Sequence, residues 1–346
     1  YTTLFRSTGL GGAIYSTGNV TVNAVNNEVT FANNTANSVA NDIYMAGTAE
    51  SLVTLTLNAK FPLRINSGIN GTNYNIVIND SLLEGNVTFN DDVSATSLMV
   101  CKGYLTNGAN LTVTNGTNNG LIHGSGTFIL NDGSAETPLV FNNNASFLQK
   151  SLVIESGNFK TDADKIYADD GIVNKDILTL GDGTLASSVS GAGTTKIVGD
   201  VNFNNTTSTT SAISQNVYIT NTGKLTGDTV NLTEASVIND GTLVFNNATD
   251  GEIGQNIAGS DTDSNGIIEI AATDGVTIGL NGKTIRNNDV KMTSGTFDVT
   301  SIADTEHNID VSSMGLISGN GILNVQDGKT GNITLGTVAT GTGDYT

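Results

Sequence analysis

The run Val53-Thr54-Leu55-Thr56-Leu57 alternates apolar and polar side chains, and this pattern returns along the whole chain. Successive side chains of a β-strand point to opposite faces, so each such run buries one face and leaves Thr and Asn in water. Further examples are Asn110-Leu111-Thr112-Val113, Asn216-Val217-Tyr218-Ile219, Thr229-Val230-Asn231-Leu232 and Asn332-Ile333-Thr334-Leu335. The pattern predicts an all-β protein built from many short strands.

Tight turns close these runs, and their composition favours stacked coils over ordinary hairpins. The 346 residues include 41 Gly but only two Pro, at Pro62 and Pro138. Gly tolerates positive φ, and Asn and Asp side chains bond their own backbone in turns. Proline lacks the N–H that a ladder of hydrogen bonds between coils requires. Turns that are rich in Gly and Asn and poor in Pro therefore suit coils stacked on one another.

Two phrases recur and indicate a solenoid with coils of roughly 20 to 24 residues. The first is an apolar residue, a polar residue and Gly-x-Gly, found at Ile122-His123-Gly124-Ser125-Gly126-Thr127, Val189-Ser190-Gly191-Ala192-Gly193-Thr194 and Ile317-Ser318-Gly319-Asn320-Gly321-Ile322. The second is a strand that ends in Phe and Asn, as at Val87-Thr88-Phe89-Asn90 and Val244-Phe245-Asn246-Asn247. A buried aromatic stack capped by an Asn ladder would explain the second phrase.

The sequence thus predicts a right-handed parallel β-helix that runs as one continuous architecture over residues 1–346. The alternative is a row of tandem β-sandwich modules, which normally show hairpin signals and regular core aromatics. Only 5% of the residues are aromatic and none is Trp, which favours the solenoid. The predicted inward residues are Val53, Leu55, Leu57, Phe89, Phe141, Phe203, Phe245, Ile278 and Val299.

Net charge narrows the partners of the chain. The formal charge is −19, and the chain has three Arg, at Arg6, Arg64 and Arg286, with no basic cluster. Such a surface repels a phosphate backbone, so nucleic acid is excluded as a partner. No apolar run approaches the roughly 20 residues of a transmembrane helix, so no direct membrane insertion is expected. Because the chain begins with Tyr1 and ends mid-pattern, we expect it to be an excerpt of a longer protein.

Two parts of the chain resemble bacterial autotransporter adhesins. Gly11-Gly12-Ala13-Ile14 followed by Phe31-Ala32-Asn33-Asn34 resembles the paired GGA(I/L/V) and FxxN motifs of chlamydial polymorphic membrane proteins. The body, with Ile238-Asn239-Asp240-Gly241-Thr242-Leu243-Val244-Phe245 and Gly251-Glu252-Ile253-Gly254, is similar to the passenger regions of rickettsial-type surface autotransporters. The first resemblance covers about the first 40 residues, and the second covers most of the chain.

These resemblances imply a passenger that is exported through a C-terminal outer-membrane β-barrel and displayed on the surface of a Gram-negative cell. The barrel and the signal peptide would lie outside this fragment. The implied function is adhesion to a glycan or protein on host cells or other bacteria, with no cofactor. The implied adhesion motif comprises Gly11, Gly12, Ala13, Ile14, Phe31 and Asn34. A structural stalk that presents another domain is an open alternative.

Some parallel β-helix proteins degrade polysaccharides, so a hydrolase or lyase is the enzymatic alternative. The fragments nearest to a polygalacturonase pattern are Ala272-Thr273-Asp274-Gly275, Asp169-Asp170 and His123-Gly124, and they run in the reverse order. Asp91-Asp92 and Asp169-Asp170 are predicted turn acids, because adjacent residues of a strand point to opposite faces. With His307 as the only other histidine, no triad is identified. We therefore expect no enzymatic activity.

The segment 261–269 reproduces the first half of a calcium-binding loop. Asp261, Asp263 and Asn265 stand at the first, third and fifth positions, and Gly266 stands at the turn. Glu269 is the remaining candidate ligand, while position twelve, where a bidentate Glu belongs, is Ala272. The segment predicts a calcium site at Asp261, Asp263, Asn265 and Glu269, with a plain turn between coils as the alternative.

Overall fold

The computed structural model describes residues 2–3, 6–7, 12–80, 83–131, 139–141, 146–203, 213–232, 236–261, 266–302, 309–325 and 333–334. The protein is nearly all β, with 3% helix. Contacts divide the chain into two compact units, Tyr1–Leu178 and Thr179–Thr346. The prediction of one continuous solenoid concerns the relation between these units and stays a prediction.

Unit 1 consists of short strands joined by turns and one 3₁₀ helix, Ala163–Lys165. Its strands are β1 (Thr2–Thr3), β2 (Arg6–Ser7), β3 (Ile14–Ser16), β4 (Val20–Ala24), β5 (Val29–Phe31), β6 (Thr35–Ala36), β7 (Val39–Ala40), β8 (Ile43–Ala46), β9 (Val53–Ala59), β10 (Leu63–Ile65), β11 (Ile69–Thr72), β12 (Tyr74–Ile78), β13 (Asn86–Phe89), β14 (Val93–Val100), β15 (Tyr104–Asn107), β16 (Asn110–Asn118), β17 (Leu121–Asn131), β18 (Leu139–Phe141), β19 (Ser146–Ser156), β20 (Asn158–Asp162), β21 (Ile166–Ala168) and β22 (Ile172–Asn174). Strand β23 (Ile177–Gly181) contains the boundary between the units.

Unit 2 repeats this construction with two further 3₁₀ helices, Thr229–Leu232 and Thr300–Ile302. Its strands are β24 (Gly183–Leu185), β25 (Val189–Ser190), β26 (Thr194–Ile197), β27 (Asp200–Phe203), β28 (Asn216–Ile219), β29 (Lys224–Gly227), β30 (Val237–Asn239), β31 (Thr242–Phe245), β32 (Gly251–Glu252), β33 (Ile257–Ala258), β34 (Gly266–Ala271), β35 (Thr277–Gly279), β36 (Ile285–Arg286), β37 (Asn288–Ser294), β38 (Thr296–Asp298), β39 (Ile309–Asp310), β40 (Ile317–Gly319), β41 (Ile322–Asn324) and β42 (Ile333–Thr334). Among the described residues, no helix is long and apolar enough to cross a membrane.

Parallel pairing between successive coils holds each unit together. In unit 1, Leu55 pairs with Ile76 and Ile76 pairs with Leu98, all in parallel strands. In unit 2, Val217 pairs with Val237 in the same way. The exception among the named strands is the short antiparallel pair β6 and β7. The predicted β-solenoid is therefore confirmed, and the β-sandwich alternative is wrong because sandwiches are antiparallel. The right-handed sense of the coil stays a prediction.

The coils of unit 1 differ in length. Thr106 faces His123 across a coil of 17 residues, whereas Asn23 faces Asn58 across a coil of 35 residues. The longer coil includes the antiparallel pair β6 and β7 as well as turns, while the strands that stack between coils keep parallel register. Variation in loop length thus leaves the stack of strands intact.

The core lies inside the coils and is formed by alternate residues of the strands. Most of the predicted inward residues are buried there: Val53, Leu55, Leu57, Phe89, Phe245, Ile278 and Val299. Phe203 is only half-buried, and the side chain of Phe141 lies outside the described part. The alternation of apolar residues therefore predicts the orientation of each strand correctly at most positions.

The three copies of the Gly-x-Gly phrase share one backbone feature. The first glycine has positive φ at Gly124 (139°), Gly191 (118°) and Gly319 (119°). A Cβ atom on Gly124 would lie 2.0 Å from the carbonyl oxygen of Asn107 in the preceding coil. At Gly124 and Gly319 the backbone of the neighbouring coil therefore leaves no room for a side chain.

Phe31 and Phe89, two described members of the second phrase, do not stack directly on each other. Phe31 and Phe89 occupy one column, but Ile65 lies between them in register. The aromatic cluster of unit 1 instead joins Phe128, Phe147 and Phe159, whose ring centroids lie 5.4–6.3 Å apart in edge-to-face geometry. Coils of unequal length bring these three rings together, and only the fold shows their register.

Candidate functional site

The two motifs of the N-terminal resemblance meet at one buried residue, Asp42. The side-chain amide of Asn34 donates a hydrogen bond of 2.6 Å to Oδ1 of Asp42. The backbone N–H groups of Ala13 and Ile14 donate to the carbonyl oxygen of Asp42 at 2.9 and 3.1 Å. A Cβ atom on Gly12 would lie 2.9 Å from Cβ of Asn34. The structure thus brings the GGAI and FxxN motifs into contact.

This contact is internal to the protein. Asn34 and Asp42 are fully buried, and Phe31 is buried as well, while Ala13 and Ile14 are half-buried. Gly11 lies outside the described residues. The described residues of the motif therefore contact each other or the core and expose little surface.

The calcium candidates are described only in part. Asp261 is exposed, and Asp263 and Asn265 lie outside the described residues. Glu269 lies on β34, where its carboxylate accepts a hydrogen bond from Thr293 and forms an ion pair of 3.5 Å with Lys291. Among the described residues, no group of three or more His, Cys, Asp or Glu side chains is placed to hold a metal ion.

Unit 1 presents a column of exposed aromatic and apolar side chains on its outer face. Parallel register places His123 beside Leu148, and Leu148 beside Tyr167. Tyr104 contacts the edge of the His123 ring, with centroids 6.4 Å apart at 87°. The exposed fractions are 48% for Tyr104, 47% for Leu148 and 43% for Tyr167. We call Tyr104, His123, Leu148 and Tyr167 the aromatic strip.

A hydrogen-bonded chain fixes the histidine of the aromatic strip. The hydroxyl of Thr106 donates to Oδ1 of Asn86 at 3.0 Å and lies 2.9 Å from Nε2 of His123. Because the Thr106 proton is committed to Asn86, Nε2 of His123 carries a proton and donates to the hydroxyl. Partial burial lowers the pKa of His123 below its ordinary value. The imidazole is therefore neutral at neutral pH, and its ring position is fixed.

A polar groove of about 400 Å³ adjoins the aromatic strip. Ser125 lies two residues beyond His123, and Lys150 lies two residues beyond Leu148, so strip and groove share the outer face. The ladder between β17 and β19 is irregular between Gly124 and Thr127, where the groove begins. The residues that line the polar groove are Asp92, Gly108, Ala109, Asn110, Ser125, Gly126, Thr127, Lys150, Ser151 and Asp170.

The charged groups of the polar groove are partly engaged with each other. Nζ of Lys150 lies 3.7 Å from Oδ2 of Asp170, and both side chains are exposed. The carboxylate of Asp92 accepts hydrogen bonds from the backbone N–H of Asn110 at 3.0 Å and from its side-chain amide at 3.4 Å. The groove therefore offers hydroxyl groups, carboxylates and one ammonium group on a floor of small residues.

The two acids of the polar groove are too far apart for glycoside hydrolysis. Parallel register runs from Val93 through Leu111, Phe128 and Leu152 to Ile172, so Asp92 and Asp170 lie about four coils apart. At roughly 4.8 Å per coil this separation is about 19 Å. Glycosidases need carboxyl groups about 5 to 9.5 Å apart. The groove is lined by one acid from each predicted pair, Asp92 and Asp170. Their separation does not match the geometry of a glycosidase.

Sequence reasoning did not identify the aromatic strip. A signal was present, since Tyr104 precedes buried Leu105, and Tyr167 lies between buried Ile166 and Ala168. In an alternating strand such positions face outward. What the sequence did not provide was the register that aligns these outward positions across several coils.

No family model, curated protein or solved structure matches the chain.

Proposed function

We propose that this chain is the passenger region of a Gram-negative autotransporter and acts as an adhesin that binds an extended surface glycan. The observation that carries the proposal is the aromatic strip beside the polar groove on the outer face of unit 1. The autotransporter assignment, with its surface localisation and its C-terminal outer-membrane β-barrel, is supported by the sequence resemblance. The glycan assignment is supported by the chemistry of the face itself.

The aromatic strip suits the apolar faces of sugar rings. Tyr side chains combine a large apolar ring with a polar hydroxyl, and exposed apolar patches mark interaction sites. Tyr104 and Tyr167 expose nearly half of their surface although they lie on paired strands. Because backbone ladders hold these strands, few degrees of freedom are lost when a ligand binds.

The polar groove suits the hydroxyl groups of the same glycan. Ser125, Thr127 and Ser151 carry hydroxyl groups that both donate and accept, and Asp92 and Asp170 accept from sugar hydroxyls. Asn110, Thr127 and Ser151 are register partners in successive coils, so a linear chain that crosses these coils meets a polar side chain about every 4.8 Å. Individual contacts of this kind are weak, and many displayed copies would supply strength through avidity.

A glycan array tests the proposal directly. The purified 346-residue chain and three variants, Tyr104→Ser, Leu148→Ser and Tyr167→Ser, are applied to the array, with circular dichroism to verify folding. The matched control is Tyr15→Ser, because Tyr15 is also an exposed tyrosine on a paired strand of unit 1 but lies outside the strip. We expect the strip variants to lose binding and the control to retain it.

Cell attachment provides the second readout. The chain is displayed on a non-adherent bacterium, and attachment to epithelial cells is measured beside polysaccharide turnover. Attachment that depends on the aromatic strip supports the proposal. Turnover without attachment would establish an enzyme instead, and the absence of both activities would leave a structural stalk.

A further inference from the structure

Unit 2 carries a shallow groove of its own, with a volume of about 320 Å³. It lies on the outer face of β30, β33 and β36, where parallel register aligns Ile238 with Ala258 and Ala258 with Arg286. A second row, one position before β30, β33 and β36, consists of Ser236, Asn256 and Thr284. We call this site the Arg286 groove.

The shape of the Arg286 groove comes from a small residue between two large ones. Ala258 is half-buried and carries only a methyl group, while Ile238 on one side is 40% exposed. Arg286 on the other side is exposed. The three residues therefore form a notch with an apolar wall, a flat floor and a guanidinium wall.

The guanidinium of Arg286 is exposed and has no carboxylate partner in the described part of the chain. Within that part, Arg286 and several lysines such as Lys160 make no ion pair, whereas seven other cations pair with acids. Examples are Lys175 with Glu155 at 2.7 Å and Lys224 with Asp200 at 3.2 Å. In a chain of net charge −19, Arg286 is the exposed cation that lines this groove, and no described carboxylate is paired with it. An anionic ligand would provide the carboxylate partner for the Arg286 guanidinium.

The second row directs a further donor into the groove. Oδ1 of Asn256 accepts hydrogen bonds from the backbone N–H of Thr284 at 3.0 Å and from its hydroxyl at 3.2 Å. This fixes the orientation of the Asn256 amide, and none of the described residues accepts from its Nδ2 donor, which can bond a ligand. Ser236 is exposed beside it and adds a hydroxyl.

We propose that the Arg286 groove binds the carboxylate of an acidic sugar, such as a uronic or sialic acid residue. The planar guanidinium matches a carboxylate with two parallel hydrogen bonds. Ile238 then faces the apolar side of the sugar ring, and Asn256 and Ser236 bond its hydroxyl groups. A single guanidinium balances one carboxylate, while the surrounding negative charge disfavours the repeated phosphates of a nucleic acid. This site is independent of the glycan site proposed for unit 1.

Calorimetric titration of the full chain tests the proposal. The probes are sialyllactose and a hyaluronan tetrasaccharide, with lactose and the methyl ester of sialyllactose as neutral counterparts. We expect at least one acidic probe to bind and both neutral counterparts to bind about tenfold more weakly or not at all, because the charge-assisted hydrogen bonds are lost. Esters that bind as tightly as acids would overturn the proposal.

Variants localise the binding to the groove. Arg286→Met should lower the affinity for the acidic probe about tenfold or more. Ala258→Leu should lower it to a similar extent, because the larger side chain fills the notch without changing the charge. Lys160→Met is the matched control, because Lys160 is an exposed cation in unit 1. Tyr167→Ser should leave the affinity for the acidic probe unchanged, which distinguishes binding at this site from binding at the aromatic strip. Unchanged affinity in Arg286→Met, or tighter binding of a poly-glutamate peptide than of either sugar, would refute the proposal.

Discussion

Asn34 donates a hydrogen bond of 2.6 Å to the carboxylate of Asp42, and both residues are fully buried. The second oxygen of the carboxylate accepts from the backbone N–H groups of Asn66 and Ser67 at 2.9 and 2.7 Å, one coil further on. A buried charge is tolerated only when such donors replace its water. The bond between Asn34 and Asp42 thus belongs to a junction that joins three successive segments of the chain.

Asn34→Ala should lower the free energy of unfolding by about 1–3 kcal/mol, because it leaves Oδ1 of Asp42 without this donor. Urea denaturation of both proteins measures the difference. Asn27→Ala is the matched control, since Asn27 is an exposed residue of the preceding turn, and its stability should stay near that of the wild type. Equal losses in the two variants would contradict the role given to this hydrogen bond.

Gly124→Ala should destabilise unit 1 by about 1–3 kcal/mol or more. The residue has a φ of 139°, and an added Cβ atom would lie 2.0 Å from a backbone oxygen. Gly18→Ala makes the same chemical change where no atom lies within 4 Å, so it should be nearly neutral. Thermal unfolding of both variants checks the prediction, and a stable Gly124→Ala protein would disprove the steric explanation.

His123 should make stability depend on pH. Its folded pKa is lowered by burial, while the unfolded imidazole titrates near about 6.5. Below that pH the unfolded chain binds more protons, so the free energy of unfolding should decrease as the pH falls from about 7.5 to 5.5. His123→Gln should flatten this part of the profile. Urea denaturation across this pH range measures the profile of each protein. Identical profiles for the wild type and His123→Gln would show that His123 does not contribute to the pH dependence of stability.

Calcium binding gives the fourth prediction. We expect millimolar calcium to raise the melting temperature of the wild type, Asp263→Ala to abolish the rise, and Glu269→Gln to preserve it. The last result is expected because Lys291 and Thr293 already hold the carboxylate of Glu269. Calorimetry with calcium on the wild type is the direct check. A melting temperature that is insensitive to calcium would support a plain turn in this segment.

The orientation of most strands could be predicted from sequence, because alternation has a fixed period of two. Leu55 and Leu57 are inward for this reason, as is Ile278. The Gly-x-Gly phrase was also visible in the sequence, and the structure adds its cause, the positive φ of the first glycine.

The candidate sites could not be predicted in the same way. Tyr104 and Tyr167 belong to one face only because intervening coils of different lengths place them there. Arg286 appeared in the sequence as one of three scattered arginines, and its position beside Ala258 depends on a coil of 28 residues. Coil length is set by loops, whose closure entropy changes slowly with length, so the sequence alone leaves register open.

Because the coils of unit 1 differ in length, its exposed loops can change in evolution without a change in the stacked strands. Lengthening a coil from 17 to 35 residues is one doubling, which adds only about 0.6 kcal/mol of closure entropy. Insertions between strands would therefore be nearly neutral for stability while they change what the outer face displays. A protein of this kind can acquire different exposed loops in different lineages, while the pairing of its parallel strands stays the same.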